Sequence, residues 1–401
     1  MAVLTVFLFS FYRLVNQSRF KIYYLSALIF KLICGVLLGL LYTYHYESGD
    51  TFGYYYRASA IADQNWNMFW KAFVSPIDYM YARKIYFDRI LALVLYVTKT
   101  NYWFVGLYYS FFSYVCALYL VRQISFWRPK WTQAAIFSLL FYPSIVFWSS
   151  GILKESLTFG AMMVLMGGYV KLRSGRKFYL FEGLWYVLSL VLLIILKYYV
   201  LAILIPLLSY LLVFRRMNRY TWLGGSLYRK SLFIAILISV PIILALRLLH
   251  YNLRTEVIIS TLQITHDQIL AITPDWNKVE VIRTSNLLLD YIVNAGYFVF
   301  SGIFRPLFPE TFRFPNILSA IENLTLIAII AWRLIKPVKI KVNPDLLAIA
   351  ILVLTMSFFL TYSMPNLGAL ARFKVYYMPF LMMTILIGHP IWKKVEMLRR
   401  H

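Results

Sequence analysis

Ten stretches of mainly apolar residues, each roughly the 17 to 25 residues needed to cross the hydrocarbon core of a bilayer, follow one another along this chain. They fall at about 22–46, 101–121, 132–149, 152–170, 178–196, 198–214, 231–248, 316–332, 346–363 and 375–391. No other feature narrows the fold as far. Backbone polar groups inside lipid must be satisfied internally, which only helices and closed barrels do, and these runs are too long for barrel strands. The chain is therefore expected to be an all-α, polytopic integral membrane protein with about ten transmembrane helices, forming a single transmembrane domain over residues 1–401. Composition agrees: 61% of side chains are apolar and 14% charged, where a soluble domain carries about a quarter charged.

The net charge of +24 would suit nucleic acid if the basic residues were clustered on one surface, but here they lie between apolar runs. Arg13/Arg19/Lys21, Arg122/Arg128/Lys130, Lys171/Arg173/Arg176/Lys177, Arg215/Arg216/Arg219/Arg229/Lys230, Arg333/Lys336/Lys339/Lys341 and Lys393/Lys394/Arg399/Arg400 occupy alternate connections. That alternation follows the positive-inside rule, so both termini are expected in the cytoplasm and nucleic acid is not an expected partner. Most acids, from Glu47 and Asp50 to Asp290 and Glu310, fall on the other side, and Glu322 alone is left inside a span.

Two large outer loops result, about 47–100 and 249–315. Each contains a segment apolar enough to enter the membrane, 85–98 and 287–304. Letting either cross alone would invert the charge bias, so both are expected to be re-entrant or surface-lying amphipathic helices. Residues 1–12 are apolar but too short to span and are read as an interfacial helix or a frayed start. Cys34 and Cys116 lie inside apolar runs, and His45, His250, His266, His389 and His401 show no ligand spacing. Neither a disulfide framework nor a metal site is expected. His266-Asp267 is at most a weak acid/base pair and is more simply a solvated loop.

Polar clusters on the expected outer face are the candidates for chemistry. The first loop offers Asp50, Arg57, Asp63, Trp66, Trp70, Asp78, Arg83 and Lys84. A carboxylate held at the interface can take a proton from an acceptor hydroxyl while basic groups hold phosphate. Asp50 is equally suited to cap the helix that follows. In Phe141–Ser156 a proline-broken helix is expected to reach the outer face, turn at Gly151 and start inward with Lys154 and Glu155 on its first turn. Helix N-termini favour anions, which suits phosphate, although the two side chains could instead pair or snorkel. Lys197, beside Tyr198 and Tyr199 at an outer turn, is either a further phosphate contact or a headgroup anchor. Arg305, Arg313, Arg372 and Lys374 stand where charge bias does not require them, and arginine forks bind phosphate oxygens in pairs. Arg313 and Lys374 could simply meet headgroups, and Glu322 is read as a structural partner of a base or of Asn323.

Several of these segments resemble known proteins. A first span followed by an outer loop with an early Asp resembles the GT-C superfamily of polytopic glycosyltransferases. Phe-Trp-Ser-Ser-Gly-Ile-Leu-Lys-Glu at 147–155, Phe-Arg-Pro-Leu-Phe-Pro-Glu at 304–310 and Asn-Leu-Gly-Ala-Leu-Ala-Arg at 366–372 resemble segments of bacterial polysaccharide-biosynthesis membrane proteins, including Wzy-type O-antigen polymerases. The resemblance implies a polyprenyl-phosphate or polyprenyl-pyrophosphate sugar as donor, transfer at the outer face of the bacterial cytoplasmic membrane, and other polysaccharide-assembly membrane proteins as possible partners. It implies no cofactor and leaves a divalent cation open. Asp50 matches the first-loop acid of GT-C enzymes, with Glu47 the one acid near enough to pair with it. Lys154, Arg305 and Arg372 match positions that would hold the lipid-linked phosphate. Glu155, Arg57, Arg83, Lys197 and Lys374 complete the expected substrate-binding set. The resemblance to Wzy-type polymerases implies the alternative of arginines without a carboxylate base, which leaves the role of Asp50 open. The rival from another class is a transporter or flippase of a lipid-linked or anionic solute, which needs the arginines but no outer acid. A non-enzymatic membrane scaffold needs neither.

Overall fold

The computed structural model describes residues 15–46, 49–76, 82–217, 251–282, 287–308, 310, 314–337 and 344–392, with isolated positions in 1–13 and 233–248. Glu47, Asp78, Arg313, most of the apolar start and eight residues of the expected 231–248 span lie outside the described residues. The described chain is helical, with one isolated bridge between Lys278 and Asn366. It divides into two compact units, Met1–Tyr198 and Tyr199–His401.

Among the described residues five helices are long and apolar enough to cross a membrane: Lys21–Tyr44, Tyr102–Trp127, Leu180–Phe214, Asn316–Ile335 and Pro344–Ser363. A sixth crossing is available if Leu367–Tyr376 and Met378–Leu386, bent by 64°, act together. Three further stretches of the expected spans differ from this simple picture for physical reasons. The 132–149 run is interrupted by a π-helical turn at Phe137–Phe141 and by Pro143. The 152–170 run becomes a helix with Lys154, Glu155, Lys171 and Arg173 at its ends, buried by protein along nearly its whole length. The 178–196 and 198–214 runs become two helical stretches that meet at a kink at the expected boundary, where Lys197 leaves helical geometry (φ −147°, ψ 57°).

In the first unit, α1 (Lys21–Tyr44), α2 (Asp50–Ala62), α3 (Trp66–Val74), α4 (Ala82–Thr98), α5 (Tyr102–Trp127), α6 (Thr132–Ile136), α7 (Pro143–Trp148), α8 (Lys154–Arg173) and the first part of α9 (Leu180–Met217) follow in order. Asn65 and Asn101 cap α3 and α5, each accepting a backbone N–H from the first turn. Helices α5 and α8 form the main packing pair, and α2 lies on α4. The 20 residues of α8 span about 30 Å at 1.5 Å per residue, the thickness of the hydrocarbon core. One end of α8 carries Lys154 and Glu155. At the other end Lys171 pairs with Glu182 at 2.5 Å, Arg176 donates to Gln123 at 3.0 Å, and Arg128 and Arg173 lie over the ring of Trp127.

The second unit contains the rest of α9, α10 (Thr255–Ile272), α11 (Leu287–Phe304), α12 (Asn316–Ile335), α13 (Pro344–Ser363), α14 (Leu367–Phe373) and α15 (Met378–Leu386). Helices α11 and α13 approach closely at Gly302, where a Cβ would stand 2.6 Å from Thr361 Oγ1 and 3.0 Å from the Ser357 carbonyl oxygen. An asparagine relay ties the loop after α10 to the start of α14. Asn316 donates to Asn277, Asn277 to Asn366, and Asn366 to Thr273, while the Asn366 side chain also caps α14. His266, expected in a solvated loop, is buried on α10; its ring stacks on Tyr362 at 4.7 Å and its Nδ1 is 2.7 Å from the Tyr362 carbonyl.

Candidate functional site

Local sequence sets the position of Lys154. Pro143 opens α7, and Gly151 takes a left-handed backbone (φ 63°) that a side chain would strain. Its amide donates to Ser110 on α5 at 2.9 Å, and Ser156 returns a bond to its carbonyl at 2.8 Å. The chain then enters α8 at Lys154. The expected sequence of broken helix, glycine turn and charged first turn is thus present.

Lys31, in the middle of α1, secures the other side of this turn. Its ammonium donates to the carbonyls of Val146 and Ser149 and to the Ser149 hydroxyl. These groups lie at the C-terminal end of α7, where carbonyls lack helical partners and attract a cation. Sequence reading missed Lys31. The signal was there: a lone lysine within an apolar run is costly unless it has a partner.

Around the Lys154 end of α8 several cations converge. Lys154 Nζ lies 4.9 Å from the centre of the Tyr54 ring, and Arg57 Cζ lies 5.4 Å from the same centre. Arg57 Nε donates to Asp88 at 2.6 Å, with Arg57 partly exposed and Asp88 buried. Burial pushes the Asp88 carboxyl above its usual range, and Arg57, then Lys154 and Lys84, partly hold it down. Behind Lys154, Glu155 is fully buried and lies 2.9 Å from Lys197 Nζ, at side-chain exposures of 0% and 7%. Arg83 lies over the ring of Tyr198, beside Lys197, at 5.7 Å. The structure therefore gathers Arg57, Arg83, Lys154, Glu155 and Lys197, five of the expected binding residues, and adds Asp88 and Lys84. Sequence reading placed Lys84 in the loop without separating it from the other charges, and did not single out Asp88.

Asp50 is exposed in the first turn of α2. Gly49 takes the cap position, so Asp50 is not the N-cap. With a helical repeat of 3.6, Asp50, Tyr54 and Arg57 lie along one face of α2. Asp50 thus flanks the cation cluster.

The remaining expected residues fall in the second unit. Arg305 donates through Nε to Glu310 at 2.7 Å and through Nη1 to the Tyr297 hydroxyl. Glu310 also accepts the Leu307 amide. Lys374, expected to meet phosphate or headgroups, is buried at 3% exposure. It donates to the carbonyls of Ile303 and Arg305 and to Asn323 Oδ1, at 2.9, 3.0 and 2.9 Å. An ammonium has three donors, and all three are committed to the chain. Lys374 is a clamp joining α11, α12 and the bend after α14, which corrects its assignment to substrate. Asn323 extends the clamp to the Pro306 carbonyl at 2.8 Å, and Glu322 lies within electrostatic reach of Lys374. Arg372 lies near this clamp in sequence, with its guanidinium 6.0 Å from the Phe373 ring centre.

Among the described residues no group of three or more His, Cys, Asp or Glu could hold a metal ion. The chain matches no protein-family model, no curated protein and no solved structure. Fold and site together define a helical membrane protein with a basic cluster at one end of its first unit.

Proposed function

We propose that this membrane protein is a glycosyltransferase or polysaccharide polymerase that takes its sugar from a polyprenyl-phosphate or pyrophosphate carrier at the non-cytoplasmic face. The observation that carries the reading is the cluster of Arg57, Arg83, Lys84, Lys154 and Lys197, with Asp88 and Glu155 as the buried acids described beside it. Lys154 and Arg57 both lie against the Tyr54 ring, and a phosphate reaching them would gain charge-assisted hydrogen bonds. The opposite end of α8 carries the Arg128, Arg173 and Arg176 group that the positive-inside rule places in the cytoplasm, which puts the cluster outside.

In the proposed reaction the acceptor hydroxyl attacks the anomeric carbon as the bond to the carrier phosphate breaks. Lys154, Arg57 and Arg83 neutralise the departing phosphate, and Asp50, on the exposed flank, takes the proton of the acceptor. Attack opposite the leaving group inverts the anomeric centre. Arg305 and Lys374 have no part in this scheme, because Glu310 and the α11–α12 clamp occupy them.

The test is transfer from a radiolabelled polyprenyl-phosphate sugar by the purified protein in vesicles. Lys154→Gln and Asp50→Asn should each lower turnover by on the order of 100-fold, the scale of one acid–base or electrostatic contribution, with the unfolding midpoint unchanged. Undiminished transfer in both variants refutes the assignment. If wild-type protein moves the intact carrier across the bilayer without transferring sugar, the transporter reading replaces it.

A further inference from the structure

At the end of the first unit opposite Lys154, the last turns of α5 and α8 come together. The stretches 122–131 and 171–182 hold seven basic residues and one acid, Glu182. That acid is already engaged: its carboxylate accepts the Lys171 ammonium at 2.5 Å and the Tyr179 amide at 3.1 Å. Aromatic rings hold three of the bases. Arg128 Cζ lies 5.0 Å from the centre of the Trp127 ring, and Arg173 Cζ lies 5.1 Å from the same ring. Arg176 Cζ lies 4.4 Å from the Phe126 ring, and its Nη1 donates to Gln123 at 3.0 Å.

The two exposed guanidinium groups, those of Arg128 and Arg176, are not what finishes the helices. Helix α8 is closed by its own backbone. Gly175 takes a left-handed conformation (φ 70°), its amide donates to the Leu172 carbonyl at 3.1 Å, and the Arg176 amide donates to the Lys171 carbonyl at 3.3 Å. Helix α5 ends with the Arg128 amide on the Ile124 carbonyl at 2.7 Å. A guanidinium carries five donors. Among the described residues one of those on Arg176 is committed and none of those on Arg128. A guanidinium packed on a ring is held in place while its edge stays available to an oxyanion, whose oxygens it meets in pairs.

The surrounding surface narrows the kind of anion. Phe126, Leu172, Tyr179, Leu180 and Phe181 are exposed apolar or aromatic side chains beside these arginines in the chain. Such a border suits an amphiphile, whose chains cover the apolar groups while its head meets the cations. A soluble anion would use the arginines alone. A zwitterionic head brings a cation of its own, and Glu182 has no vacant carboxylate to receive it.

We infer that this rim binds an anionic diacyl phospholipid of the phosphatidylglycerol class, with its phosphate on Arg128 and Arg176 and its acyl chains against the exposed apolar side chains. The inference rests neither on sugar transfer nor on the cluster around Lys154.

The experiment is photo-crosslinking of the whole protein in phosphatidylcholine nanodiscs containing a minor share of a phosphatidylglycerol with a diazirine at the head of one acyl chain. Labelled peptides are expected from 122–131 and 171–181, with the label persisting in the excess of phosphatidylcholine and displaced by unlabelled phosphatidylglycerol. Arg128→Gln and Arg176→Gln should each weaken this labelling by about tenfold, the scale of a lost charge-assisted hydrogen bond, with the unfolding midpoint unchanged. Arg128→Lys, which keeps the charge and loses the planar fork, should lose at least about half of it. Lys336→Gln removes an exposed charge from another basic connection and should leave it unchanged. Labelling spread evenly over the lipid-facing helices overturns the inference. So does Arg128→Lys matching wild type, or Lys336→Gln losing as much as Arg128→Gln, since either makes the attraction diffuse. Displacement by glycerol phosphate as effective as by phosphatidylglycerol also overturns it, because the site would then hold a free anion and not a lipid.

Discussion

The Glu155–Lys197 pair offers the sharpest test of how the first unit is held together. Its charged atoms are 2.9 Å apart, with side-chain exposures of 0% and 7%. Removing one partner of a buried pair strands the other charge and costs about 3–5 kcal/mol, whereas replacing both with apolar side chains of similar volume is about neutral. For a unit the size of Met1–Tyr198, each kcal/mol moves the unfolding midpoint by about 2–4 °C. Glu155→Met and Lys197→Met should therefore each lower the midpoint of the detergent-purified protein by about 6–20 °C on this scale. The double variant should return to within about 4 °C of wild type, giving a coupling of at least ~3 kcal/mol in the double-mutant cycle. If the double variant loses the sum of the two single losses, the side chains are not coupled. The account of Lys197 as the partner that brings α9 onto the start of α8 would then be wrong.

Other perturbations follow from the same geometry. Lys31→Met leaves the end carbonyls of α7 without their cation and should destabilise by about 1–3 kcal/mol for each stranded acceptor, read as a lowered midpoint in thermal unfolding. Lys374→Met should cost stability through the α11–α12 clamp yet leave sugar transfer by the folded protein within twofold; a tenfold loss of transfer with an unchanged midpoint would restore Lys374 as a ligand contact. Gly302→Ala drives a methyl group toward the Ser357 carbonyl and Thr361 and should cost about 1–3 kcal/mol, again visible in the midpoint. Burial raises the folded-state pKa of Asp88 above its reference value of 3.8, so its contribution to stability is full below that value and is lost as pH rises through the raised pKa. Unfolding midpoints of wild type and Asp88→Asn compared between pH 4 and 7 should differ in slope in that direction, and parallel curves would refute the assignment.

Much of the fold could be read because apolar run length is a local property. The α1, α5, α12 and α13 runs become single helices with ends near those expected. The 152–170 run also becomes one helix, α8, and its charged ends and glycines are accommodated because its neighbours bury it. The site was half readable. Pro143, Gly151 and Lys154 carry their geometry in sequence, since proline and a left-handed glycine fix the backbone wherever they occur. Partnership does not work that way. Arg57 finds Asp88 across two helices, and Lys374 finds carbonyls at 303 and 305, through packing that no local pattern encodes. An interfacial lysine among tyrosines and prolines looks the same in sequence whether it faces a headgroup or a helix end.

The peg formed by Lys31 has a consequence for ligand entry. With the end of α7 fixed by one side chain and the Gly151 turn by Ser110, the aim of Lys154 is set by the resting scaffold and not by its guest. The ordering cost of that part of the receptor is met during folding, so an arriving anion spends less of its affinity on arranging its host.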